Sequence, residues 1–170
     1  MNKVKQMAFV AIYVSIIVTF QTLLSTINGL ELSTLLFVVA ALFLPLTTSF
    51  SIVVVYCLIE GILFGFGDWV LLYLVYWSFV VLVTRLLRKI LRKHLLLNAL
   101  INGIYGFLLG VFFFLETLLL YGSSAAISMY VTGFPGDVFH LFSNIFITLI
   151  LFPIISRIMP KIVNIKSKKV

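Results

Sequence analysis

The chain has 170 residues, of which 63% are hydrophobic and 10% charged, with a formal net charge of +7. A soluble domain of this size cannot hide so much apolar surface, so the composition excludes a water-soluble globule and makes lipid the solvent. The basic balance would suggest nucleic acid in a soluble protein, but no nucleic-acid module is present and the cations follow a topological pattern instead.

All twelve Lys and Arg fall in three clusters. Lys3 and Lys5 precede the first apolar run. Arg85, Arg88, Lys89, Arg92 and Lys93 share one interruption. Arg157, Lys161, Lys166, Lys168 and Lys169 follow the last run. Cytoplasmic loops gather Lys and Arg, so the three clusters are expected on the cytoplasmic side, facing anionic inner-leaflet lipid. The five acids, Glu31, Glu60, Asp68, Glu116 and Asp137, lie in the outer turns or outer halves of the expected helices.

In chain order, the pattern predicts an all-α, polytopic membrane protein: one domain over 1–170 with six transmembrane helices. The first spans about 7–24 and runs outward; no small-x-small cleavage site follows it, so it is read as retained rather than as a signal peptide. An outer loop, Ser25–Leu30, leads to a short second helix over about 31–46. Pro45, Thr47 and Thr48 make an inner turn. The third helix spans about 49–66, and Gly65, Gly67 and Asp68 form an outer turn. The fourth spans about 69–87. A basic linker, Arg85–His94, then reads as an interfacial amphipathic helix with its charges toward water or lipid phosphate. The fifth spans about 95–121. The longest outer loop is expected over Gly122–Gly133, and the sixth helix over about 135–158, with Pro135 in its first turn. A basic tail, 159–170, ends the chain, and six spans put both termini in the cytoplasm. The single cysteine, Cys57, rules out an internal disulfide.

Ionisable residues inside a bilayer are costly and are functional candidates by default. Glu60 and Glu116 are flanked by long apolar runs. Asp137, His140 and Asn144 share one helical face at i, i+3 and i+7. That face reads either as interhelical hydrogen bonding or as a ligand site, with a cap or turn role favoured for Asp137. Trp69, Tyr73 and Trp77 stripe the fourth helix at i, i+4 and i+8. An aromatic belt explains Trp69, but two further turns put Trp77 about 12 Å deeper, which suits a flat ligand entering the bundle. Ala8, Ala11 and Ser15 leave a small-residue track on the first helix, where another helix can approach closely. No metal site, catalytic centre or cofactor is expected. The chain lacks G-x-S-x-G and a Walker A loop, and no ligand spacing points to a metal.

The most specific stretch is Tyr130–Pro153, with Gly133-Phe134-Pro135-Gly136-Asp137, His140, Asn144 and Pro153. It resembles the Gly-x-Pro-x-Asp-x-x-His-x-x-x-Asn segment of the substrate-binding S components of energy-coupling factor (ECF) vitamin transporters. The likeness covers nearly the whole length, including the small residues of the first helix, although Ala11-x-x-x-Ser15 stands where that family often has a pair of alanines. The resemblance implies a prokaryotic cell-membrane importer subunit that is not itself an enzyme. It binds a vitamin in its outer half and docks through its first helix on a membrane coupling subunit (T component) driven by two cytoplasmic ATPases. The candidate substrate-binding set is then Trp69, Tyr73, Trp77, Glu116, Tyr130, Asp137, His140 and Asn144, and the docking set Ala8, Ala11 and Ser15. No Lys or Arg reaches the outer half, so a carboxylate vitamin such as biotin or pantothenate would lack a formal cation there. Cobalamin is the first expectation, with thiamine, its pyrimidine precursor, a riboflavin-like vitamin or pantothenate as alternatives. A membrane scaffold that binds no small molecule is the expectation of a different class.

Overall fold

The computed structural model describes residues 3–24 and 30–162, and every regular element among them is helical. These are α1 (Lys3–Leu24), α2 (Ser33–Phe43), α3 (Leu46–Phe64), α4 (Asp68–Leu86), α5 (Arg88–Leu91), α6 (Leu95–Tyr121) and α7 (Ser123–Ile162). The expected Ser25–Leu30 loop, apart from Leu30, and the tail residues Lys166, Lys168 and Lys169 lie outside the described residues. Five helices, α1, α3, α4, α6 and α7, are long and apolar enough to cross a membrane. Their outer surfaces carry large exposed apolar side chains, among them Ile12, Leu58, Leu71, Val75, Leu119, Phe142 and Phe146. Apolar surface this extensive fits a multi-pass membrane protein, because water would penalise it and acyl chains do not.

The sixth apolar helix is of another kind. All eleven residues of α2 are buried. It contacts α1, α3, α4, α6 and α7. Its sequence, STLLFVVAALF, is apolar all round, as expected of a helix enclosed on every side. At about 16 Å it reaches only part of the way across a hydrocarbon core of about 30 Å. The sequence-based helix over 31–46 is therefore too long at both ends: Glu31 and Leu32 precede α2, and α3 already begins at Leu46, so Thr47 and Thr48 are helical rather than part of a turn.

Two glycines reverse the chain at the same end of the bundle. Gly65 (φ 89°) ends α3 and Gly122 (φ 85°) ends α6, both in the left-handed region where a Cβ is strained. Gly122 alone replaces the long loop expected over Gly122–Gly133, and α7 starts at Ser123 instead of Pro135. Pro135, Pro153 and Pro160 all lie inside α7, and the Gly133–Gly136 segment is helix rather than turn. The physical reason is the solvent: lipid leaves an irregular segment no partner for its backbone, whereas internal prolines in membrane helices are accommodated. The extra turns pack on α6, with Tyr130 against Phe114 (ring centroids 5.4 Å apart) and Phe134 against Phe107 (6.0 Å). With forty residues, α7 is about 60 Å long and outreaches the hydrocarbon core.

At the opposite end the described cations gather. Gln6, just after the α1 lysines, donates to Thr48 Oγ1 at the start of α3 (2.9 Å). The basic linker is not one continuous amphipathic helix, because α4 stops at Leu86 and α5 is a single turn. Nor do all its charges point outward. Arg85 Nη1 donates to the Ala41 and Leu44 carbonyls (3.2 and 3.0 Å), where α2 runs out of partners of its own. The Arg92 guanidinium lies 4.8 Å from the centre of the Phe43 ring. Burial and the neighbouring Arg85 and Arg92 lower the pKa of Arg88.

Candidate functional site

Away from the cations, the start of α2 meets the middle of α7. Glu31, just before α2, accepts hydrogen bonds from Thr34 Oγ1 and from Ser33 Oγ (3.3 Å). Asn144 Nδ2 reaches the same carboxylate from α7 at 2.9 Å. His140 Nδ1 lies 3.8 Å from Glu31 Oε1, within ion-pair reach and beyond hydrogen-bonding distance. His140 and Asn144 therefore do share a face, as their spacing predicts, and that face looks toward α2 and α6 rather than toward lipid.

Glycines on α6 let α7 come this close. A Cβ on Gly106 would stand 2.4 Å from Asn144 Nδ2 and 2.9 Å from the His140 carbonyl oxygen. A Cβ on Gly110 would collide with the Asp137 carboxylate. Asp137 is thus a mid-helix residue laid over Gly110, and the cap or turn role expected for it does not hold because α7 starts well upstream. Gly106 and Gly110 form a Gly-x-x-x-Gly pair, a sequence signal for close helix approach that the reading by polar residues passed over.

Beside this cluster stands an aromatic stack. Trp69 meets Tyr73 edge-on (5.4 Å), and Tyr73 meets Trp77 (6.3 Å). Trp77 is 1% exposed and stacks on Phe37 of α2 (4.3 Å), so it is an interior residue and not part of a lipid-facing belt. Tyr56 of α3 and Phe113 of α6 close on Tyr73 from two sides (6.4 and 6.0 Å). Glu60 of α3 is 3% exposed, and its Oε1 has no hydrogen-bond partner among the described residues. The carboxylates of Glu31 and Glu60 both lie within electrostatic reach of the Tyr56 and Tyr73 hydroxyls.

The remaining candidates sit apart from these residues. Glu116 is within electrostatic reach of Asp68 and Tyr121, and the Tyr121 hydroxyl donates to Asp68 Oδ2 (2.6 Å). Tyr130 packs between Phe114 and Phe134 on the α6–α7 hairpin. Ala8, Ala11 and Ser15 are exposed on α1, opposite its buried Val10, Tyr13, Val14 and Ile17. Ala11 and Ser15 line a shallow groove with Ile12, Ile16, Thr19 and Phe20, and the Ser15 hydroxyl is satisfied by the Ala11 carbonyl (2.9 Å). Among the described residues no three His, Cys, Asp or Glu side chains come together as a metal site. Glu31 was not singled out by the sequence; its one signal was an acid placed immediately before an apolar helix. No family model, no curated protein and no solved structure matches the chain.

Proposed function

We propose that this chain is the substrate-binding S component of an ECF-type importer, carrying a vitamin or related micronutrient across the cell membrane of a prokaryote. One observation carries the reading: a polar cluster of half-buried Glu31 and His140 with buried Asn144 lies beside the Trp69, Tyr73 and Trp77 rings, away from the cationic end of a lipid-adapted bundle. Apolar walls with a few convergent polar groups are the usual form of a small-molecule site. In this proposal α2 and the segments flanking it together complete a sixth, enclosed crossing, both termini are cytoplasmic, and the ligand enters from the outside. The chain performs no chemistry; a coupling subunit and two ATPases supply the work. The exposed Ala11–Ser15 groove on α1 is the proposed docking face, since small residues let a partner helix approach closely.

The test is co-purification. Wild-type protein is expected to capture a membrane coupling subunit together with an ATPase pair, and Ala11→Leu or Ser15→Leu is expected to lose them while staying folded. Capture that survives both substitutions would move the docking face elsewhere, and a wild-type protein that captures no ATPase would leave a carrier or a scaffold. Cobalamin heads the ligand panel, with thiamine, its pyrimidine precursor, riboflavin and pantothenate beside it.

A further inference from the structure

The geometry points to a substrate class for this site: a flat organic cation bearing N–H donors, with its charge on Glu31 and its ring against the Trp77–Tyr73 stack. The inference rests on the ligand-binding reading above and narrows it, placing a small cation ahead of cobalamin for this site.

The first argument is the company Glu31 keeps. Ser33, Thr34 and Asn144 all offer hydrogen to Glu31, and the Asn144 amide has no other sensible orientation, because its Oδ1 turned toward the carboxylate would repel it. Three neutral donors thus converge on one carboxylate, and none of them brings a charge to it. No Lys or Arg side chain offsets it, since every described one belongs to the opposite end of the bundle. Among the described residues only His140 stands within ion-pair reach. A carboxylate taken out of water without a counter-ion is costly, and a bound cation would remove that cost.

Unmet hydrogen-bonding capacity is the second, independent argument. Asn144 is 0% exposed, and the amide whose Nδ2 holds Glu31 leaves its Oδ1 without a partner among the described residues. Glu60 Oε1, across the aromatic stack, is buried and likewise unmatched. Both are acceptors that lack a donor, whereas the Trp77 indole N–H, also buried and unmatched among the described residues, lacks an acceptor. An anionic vitamin would meet the Trp77 N–H but would bring no donor for the other two and would set its charge beside Glu31 and Glu60. A flat cation carrying an amino group supplies both the charge and the donors, and aromatic faces attract it further.

Isothermal titration calorimetry on the purified full chain tests this with four probes. Thiamine is the amine-bearing cation, its two flat rings joined by a methylene, and thiochrome its uncharged, fused derivative without the free amino group. Biotin and pantothenate are the anions. Thiamine is expected to bind at least 10-fold more tightly than the other three, and Glu31→Gln, which keeps the shape and removes the charge, to cost at least another 10-fold. Absence of thiamine binding, thiochrome or an anion binding as tightly, or unchanged affinity in Glu31→Gln each overturns the inference. If Glu31→Gln fails to fold, the comparison of thiamine with thiochrome on wild-type protein decides alone. ATPase capture separates this inference from the proposal beneath it. Cation binding without capture removes the importer and keeps the site; capture with anion selectivity does the reverse.

Discussion

A methyl group at Gly106 has nowhere to go. The nearest atoms it would meet include the His140 carbonyl oxygen, which belongs to the backbone and cannot rotate away. Gly106→Ala should therefore push α7 off α6 and cost about 1–3 kcal/mol, the usual penalty of overpacking a tight contact. A lowered melting temperature in detergent would register it, and a melting temperature equal to wild type would mean that the two helices slide apart freely. The same substitution displaces Asn144 from Glu31, so ligand affinity should fall with stability. Much of this site was readable at the residue scale. The spacing of His140 and Asn144 placed them on one face, and the stripe through Trp77 announced a buried aromatic. Their partner was not readable: Glu31 lies 113 positions from Asn144, and no local pattern joins them.

At the scale of elements, α2 depends on side chains from elsewhere in the chain. Its last carbonyls are satisfied in part by Arg85, which comes from the end of α4. Arg85→Ala should leave two carbonyl oxygens short of a donor and destabilise the bundle by about 1–3 kcal/mol. Arg85→Lys should recover only part of the loss, since the more strongly hydrated ammonium resists being drawn toward carbonyls near a buried helix end. Equal melting temperatures for wild type and Arg85→Ala would show that the contact contributes nothing. Here the sequence misled in an instructive way. The i, i+3, i+4 pattern of the basic linker pointed to charges facing water or lipid phosphate, yet Arg85 turns to a helix end and Arg92, while exposed, lies over an aromatic ring. Pro135 misled for a related reason. A proline that marks a helix start in water can sit inside a helix that lipid surrounds.

For the molecule as a whole, the separation of charge was the most legible property, because each cation cluster borders an apolar run long enough to fix its end of the bundle. The proposed orientation puts α5 inside the cell and the α6–α7 turn outside. Cys57 is the sole thiol and is buried, so Cys57→Ala gives a clean background for labelling. In intact cells an impermeant maleimide should modify Ser123→Cys and leave Lys89→Cys untouched until the membrane is opened. The reverse pattern would turn the molecule over and end the importer proposal.

The enclosure of α2 also bears on how the protein is made. Eleven residues cannot bridge the bilayer alone, and their surface is matched by neighbours from both halves of the chain. During synthesis this segment therefore has no stable resting place until α6 and α7 have left the ribosome. Biogenesis should then be all-or-nothing: a nascent chain released after α4 should be a substrate for quality-control proteolysis, even though three of its four helices could each insert independently.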